Sequence, residues 1–176
     1  MEQAMDVIIA QIAEYVQNRF FGKYRAQVVE VEDQDNMGRI IVTAPDVYGD
    51  QQSPWAMPCV PLAGDGYGFF VLPEIGDTVW IEFEGGDISK PIWTGSFWAA
   101  NEGPGGSDAG LQNRTLKTPS GHKISLDDEG GEILLEHSGG GLIKITDGEI
   151  HLEAGGSSIV INSSGVNVNN GAMEVK

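Results

Sequence analysis

"IHLEAGGSSIVINSSGVNVNN", Ile150–Asn170, sets Ile150, Leu152, Ile159, Ile161, Val166 and Val168 on one side of short alternating segments, with polar residues and glycines between them. Successive side chains of a strand point to opposite faces, so these six residues make one apolar row. Only six residues follow Asn170, too few to cover it. The same pattern begins further upstream. Ile124, Ile133, Ile143, Ile150, Ile159 and Val166 open successive strands at intervals of seven to ten residues, each followed two positions later by Leu126, Leu135, Ile145, Leu152, Ile161 or Val168. Each unit is one short strand and a turn containing Gly, Ser or Asp. A flat one-faced meander of this kind leaves its row wet and cannot offset the entropy of ordering about fifty residues. Wrapping several copies about a shared axis buries the row and pairs the strand edges. The pattern therefore predicts self-association. A single-chain β-solenoid is the rival arrangement, although six short strands supply it with only about three coils. In the wrapped form Gly155, Gly156 and Gly165 allow the tight corners.

The rest of the chain differs. Its 176 residues carry 26 acidic and 10 basic side chains, a formal charge of -16 that argues against nucleic acid as a partner. The N-terminus carries Glu2 and Asp6 where a secretory signal is basic, and no apolar run approaches the roughly 20 residues of a membrane span. The expectation is a chain made in the cytoplasm without a signal peptide. Cys59 is the single cysteine, so it forms no intrachain disulfide, and its place between Met57 and Val60 predicts a packed thiol.

Residues 1–22 form the first segment. Met5, Ile8, Ile9, Ile12, Tyr15, Val16 and Phe20 recur at helical spacing over residues 4–21, and Gly22 is a natural stop. The stripe of this amphipathic helix has two readings: packing on its own domain, or docking on a partner. Residues 23–98 read as short strands separated by turn residues, the habit of a small barrel. "YRAQVVEVE" and "RIIVTAP" flank the turn "DQDNMG"; "WAMPCVPL", "GFFVLP", "DTVWIEF" and "KPIWTGSFW" supply further strands, and an early hairpin fits an OB-like barrel. Residues 99–114, "AANEGPGGSDAGLQNR", read as a linker, and residues 115–176 as the self-associating tail.

The chemistry-bearing residue types reduce to structural readings. "DQDNMG" imitates the start of a calcium loop, but Met37 and Ala44 stand where oxygen ligands belong. "GDGYG", Gly64–Gly68, lacks the Lys-Ser/Thr of a phosphate loop and reads as a connection between strands. His122, His137 and His151 form no local metal motif; by parity His122 and His137 face inward with Ile124 and Leu135, and His151 faces outward. Glu82 and Glu84 share one face of a strand in the pattern a carboxylate pair requires, which is also ordinary for exposed strand residues. Trp55, Trp80, Trp93 and Trp98 offer either a stacking platform or core and interface packing, and no basic groove accompanies them. The expectation is no catalytic, cofactor-binding or metal residue.

One stretch carries a resemblance. In "FVLPEIGDTVWIEFEGGDISKPIWTGSFW", Phe70–Trp98, a Pro-x-x-Gly-Asp turn (Pro73, Gly76, Asp77) leads into an alternating strand. A Gly-Asp loop (Gly86, Asp87) and then Pro91, Gly95, Ser96 and Phe97 follow. With "GRIIVTAPDVYGD" before it and "TPSGHKISLDDEGGEILLEHSGG" after it, the order resembles the OB domain and spike entry of phage baseplate assembly protein V and the VgrG proteins of type VI secretion, over roughly residues 24–140. The resemblance implies a mainly β chain: N-terminal helix, OB-fold barrel, then a C-terminal intertwined triple-stranded β-helix, assembled as a homotrimer. It further implies a non-enzymatic central spike of a virion or tail-like particle, bound to a baseplate hub, through it to the tail tube, and driven into the target cell envelope. Departures from the family refine this expectation. The linker has no room for a cell-wall lysozyme domain, and only the helix precedes the OB region, which points to a short spike with a separate hub that the helix seats. "NVNNGAMEVK" lacks the His-x-His iron site of some spike tips, so a separate PAAR-like tip protein is expected. A glycan- or single-strand-binding OB module is the alternative, and a wall hydrolase comes third.

Overall fold

The computed structural model describes residues 2–100, 102–103 and 110–175, with side chains from Met5 to Met173. They fall into two units, Met1–Ala99 and Ala100–Lys176. Residues 101 and 104–109, the middle of the expected linker, lie outside the described residues.

The first unit opens with helix α1, Glu2–Gln17. The expected helix ran one turn further, and Phe20 explains the difference. Its N–H donates to the Gly86 carbonyl at 2.9 Å, and its ring packs against Tyr24 and Phe83 at centroid distances of 5.8 and 6.2 Å. A residue assigned to the helix stripe is therefore drawn onto the barrel core, and the helix ends before it.

The barrel strands are β1 Tyr24–Glu30, β2 Ile41–Thr43, β3 Met57–Pro58, β4 Ala63–Gly64, β5 Tyr67–Gly68, β6 Thr78–Phe83 and β7 Pro91–Ser96. A short helix α2, Pro45–Tyr48, follows β2, and a 3-10 turn, Glu84–Gly86, follows β6. Five of these strands make one sheet in the order β2-β1-β6-β7-β3, in which β3 runs parallel to β7 and the other neighbours are antiparallel. Isolated antiparallel bridges Ile40–Ala56 and Thr43–Gln52 join the β2 segment to the chain before β3, bringing the two ends of the sheet together. Alternation does the rest: in β6, Val79, Ile81 and Phe83 turn inward and are buried, while Thr78, Trp80 and Glu82 are half-buried. Ala26, Val28, Ile40, Val42, Ala44, Ala56 and Trp93 complete the core. "GFFVLP" supplies almost no strand; Phe69 and Phe70 are exposed beside the small β4–β5 hairpin.

The "DQDNMG" stretch is a turn organised by Asp33. Its carboxylate accepts the backbone N–H groups of Asp35, Met37 and Arg39 and is held by the Arg39 guanidinium, with Nε 3.1 Å from Oδ2. The cation of this loop is thus an arginine. The guanidinium, ahead of the backbone donors, holds the Asp33 carboxyl well below the usual carboxylate range. Because the folded value is depressed, the stabilisation is present at neutral pH and is lost as pH falls below the ordinary value of 3.8. Asp33→Asn is expected to lower the melting temperature of the first unit at pH 7, with the gap to wild type closing in acid. A gap equally wide at both pH values would refute this account.

The second unit is an eight-stranded antiparallel meander in sequence order: β8 Asn113–Lys117, β9 Lys123–Asp127, β10 Glu132–Glu136, β11 Leu142–Thr146, β12 Glu149–Ala154, β13 Ser157–Asn162, β14 Gly165–Val168 and β15 Met173–Val175. β8 opens inside the stretch read as linker, and β15 extends the sheet beyond the last expected strand. The connections are tight. Ala154 pairs with Ser157 across Gly155 and Gly156, both at positive φ (59° and 82°), as a two-residue hairpin turn requires. Gly165, expected at a corner, instead opens β14 opposite Asn162, and Ser163 and Ser164 make the turn.

Candidate functional site

Register converts the apolar row into a surface with two columns. Leu116, Ile124, Leu135, Ile143, Leu152, Ile159 and Val168 face one another strand by strand. Beside them runs Leu126, Ile133, Ile145, Ile150, Ile161 and Val166, with Arg114 opposite Leu126 at the first strand. Both columns occupy the same face because each pair of neighbours is separated by an even number of residues along its strand. The opposite face carries a central row of Thr115, Ser125, Leu134, Lys144, His151, Val160 and Asn167.

Burial is inverted relative to a globular domain. In β10 and β11 the apolar-face residues Ile133, Leu135, Ile143 and Ile145 are exposed, whereas Glu132, Leu134, Lys144 and Thr146 on the other face are half-buried. Along the ribbon the exposed large aliphatics from Leu116 to Ile161 range from 37% to 52% exposure. Every buried hydrophobic residue lies between Ala26 and Trp93, so among the described residues the second unit has no apolar core; its one buried residue is Ser125. A continuous apolar face of this extent marks an interaction surface. A groove of about 540 Å³ opens along it, lined by Leu135, Ile143, Leu152, Ile159 and Val168 among others.

The polar face holds cross-strand ion pairs: Lys144 to Glu132 at 2.6 Å and Lys123 to Glu136 at 3.3 Å. Lys123 and Glu132 are the less exposed members of these pairs, at 17% and 27%, and each pair ties one strand of this face to its neighbour. The histidines divide as parity requires. His122 and His137 extend the register of Lys123 and Glu136 onto the apolar side, and their rings meet at 4.4 Å, tilted by 48°; the Nδ1 atoms accept the N–H groups of Ser138 and Gly139 respectively. His151 lies on the polar face, 3.3 Å from Glu153. Among the described residues no group of three or more His, Cys, Asp or Glu is arranged to hold a metal ion.

The other candidates disperse. Glu84 lies past the end of β6, in the 3-10 turn, paired with Lys90 at 3.8 Å; Glu82 is paired with Lys23 at 2.6 Å, so the two carboxylates do not share a strand face. Cys59 is exposed, correcting the expected packed thiol: β3 ends at Pro58, and the chain beyond it runs on the surface. The four tryptophans take four separate places. Trp93 is in the core with Nε1–H donating to the Gly38 carbonyl at 3.1 Å. Trp55 lies under Arg39, and Trp80 stacks with Phe97 beneath Arg25. Trp98 is 72% exposed.

The quoted turn residues of the first unit do structural work. Asp77 Oδ2 accepts the N–H of Glu74, and the Gly76 N–H donates to the Val28 carbonyl, which fastens that turn to β1. Asp87 accepts the N–H and hydroxyl of Ser89, and these bonds lower its pKa. Gly86 sits at φ 77°, which strains any other residue, and a Cβ there would press on Arg19 and Phe21 at 3.1 Å. Burial pushes the Tyr48 phenol, bonded to the Ile88 carbonyl, up to about 12. These groups close turns and support the barrel.

A small barrel-like sheet followed by a ribbon with one largely uncovered apolar face is the pattern of a chain that carries an interaction surface. The comparisons place it further. Residues 24–98 match the type VI secretion system/phage-baseplate injector OB domain, and residues 113–174 match the phage baseplate V C-terminal trimerisation domain. The chain belongs to the phage baseplate V and VgrG spike family. Relatives include the actin cross-linking toxin VgrG1 of Vibrio cholerae, 31% identical over 108 residues, covering 56% of this chain and 10% of that protein. The type VI secretion system spike protein VgrG3 of the same species is 30% identical over 115 residues, covering 59% of this chain and 11% of that protein. This chain thus spans about a tenth of the length of these relatives. Among the described residues no helix is long and apolar enough to cross a membrane.

Proposed function

We propose that this chain is the central spike of a contractile phage tail or phage-tail-like injection system. It acts as a homotrimer whose three C-terminal ribbons wind into an intertwined triple-stranded β-helix. The observation that carries this reading is the two-column apolar face, whose residues from Leu116 to Ile161 are exposed in the single chain with the exception of the half-buried Leu152. Three such faces turned toward one axis bury both columns, leave the ion-paired faces toward water, and give each ribbon edge a partner.

The resulting function is mechanical. Short strands stacked across an axis make a narrow, stiff body suited to transmitting axial force when the sheath contracts, and the acidic surface keeps it soluble. A baseplate hub joined to the tail tube holds the trimer, a PAAR-like protein closes its tip, and the target cell envelope receives it. No catalytic step is assigned to the chain.

Light scattering on the purified protein is expected to give the mass of three chains, and electron microscopy an elongated three-fold needle. A globular monomer would reject the proposal. Hydrolysis of peptidoglycan by the purified chain would reject its non-enzymatic part alone.

A further inference from the structure

Helix α1 carries a second uncovered apolar surface. Residues 5–18 are all exposed, and Met5, Ile8, Ile9, Ile12, Tyr15 and Val16, at 50–59% exposure, fall within an arc of about 120° at helical periodicity. The anchor of α1 is at its exit, where Arg19 and Phe20 bond the Gly85 and Gly86 carbonyls at 3.3 and 2.9 Å. A 16-residue helix containing Val7, Ile8, Ile9, Ile12 and Val16 is poorly self-sustaining in water, because β-branched side chains lose rotamer freedom and short isolated helices are marginal. Something must cover the stripe.

We propose that the α1 helices of two other copies of this chain cover it, forming a parallel three-helix coiled coil. This rests on the trimeric reading above. The stripe reads as a heptad with Met5 and Ile12 at d, Ile9 and Val16 at a, and Ile8 and Tyr15 at the flanking g positions. Isoleucine at both a and d favours three or more strands over two, and apolar g positions widen the seam beyond what a two-stranded coil covers. Asp6 and Glu14 fall at e and f, so the seam between Met5 and Val16 carries no charge. Two heptads are too short to associate alone. The interface formed through residues 113–174 removes that limit by holding three copies of α1 in one particle at high effective concentration.

The test uses the full chain with Cys59→Ser and a nitroxide attached at Ala10→Cys, which lies on the outward side of the heptad. The expected result is a trimeric mass by light scattering together with a narrow interspin distance no longer than about 35 Å, as helices about 10–12 Å across dictate. Adding Ile9→Asn and Ile12→Asn is expected to lengthen and broaden that distance and lower the helical circular dichroism while the mass stays trimeric. A trimeric mass with long, broad distances before those changes would overturn the coiled coil alone, leaving the stripe for another partner such as the hub. A monomeric mass would overturn it together with the trimeric spike.

Discussion

Ile159→Asp is expected to reduce the protein to a monomer, while Val160→Asp, one residue further along the same strand, leaves the trimer intact. Ile159 pairs with Leu152 and Val168 in the apolar column; Val160 pairs with His151 and Asn167 on the opposite face. In a single chain Ile159 is 39% exposed, so an aspartate there remains hydrated and costs little. In the proposed intertwined trimer the same change would place a carboxylate from each protomer in a water-free layer. Losing a buried isoleucine costs about 2–5 kcal/mol per site, and three copies lose it together. Each carboxylate must also be desolvated or protonated, which adds to the penalty. Light scattering of the two variants reads the contrast directly. Equal masses for both would mean that the two faces of the ribbon are equivalent, and the wrapped arrangement would fall.

The second large effect concerns the barrel. Trp93→Ala is expected to destabilise the first unit by about 3–5 kcal/mol, the usual cost of truncating a buried aromatic ring. That is a large part of the roughly 5–15 kcal/mol by which a domain is stable. Trp93 is 6% exposed and joins β7 to the Asp33–Gly38 turn through its bond to the Gly38 carbonyl. Trp93→Phe keeps most of the ring and leaves that carbonyl without its partner, at an expected cost of about 1–3 kcal/mol. Near-ultraviolet circular dichroism during urea unfolding follows the barrel, and light scattering follows the trimer. If Trp93→Ala and Trp93→Phe unfold at the same denaturant concentration as wild type, the core assignment is wrong.

The features legible in the sequence were those set by local backbone geometry. Alternation of Ile, Leu and Val from Ile124 to Val168 announced one apolar face, since the period of a strand is two wherever it sits. The turn residues of "DQDNMG" announced a hairpin and the Gly155–Gly156 pair a tight corner, since positive φ is a local demand. The Pro73, Gly76, Asp77, Gly86 and Asp87 signature was legible for the same reason, as its residues shape turns. Features that depended on distant partners were not legible. Phe20 fits the helical stripe of residues 5–16 by spacing, and the Gly86 carbonyl and the Tyr24 and Phe83 rings take it away. Cys59 sits in an apolar sequence and lies on the surface. β8 was concealed by the polar composition of Asn113 and Arg114, which pair with Asp127 and Leu126 on β9.

The sequence by itself determined that the C-terminal third carries an apolar row with no cover in its own strands, because side-chain alternation follows from the backbone alone. Tertiary structure decided which residues face one another across that row, and that it forms two aligned columns on one face. It also decided that, among the described residues, the buried hydrophobic core belongs to the barrel. Register and burial depend on contacts between residues far apart in the chain, which no local period encodes.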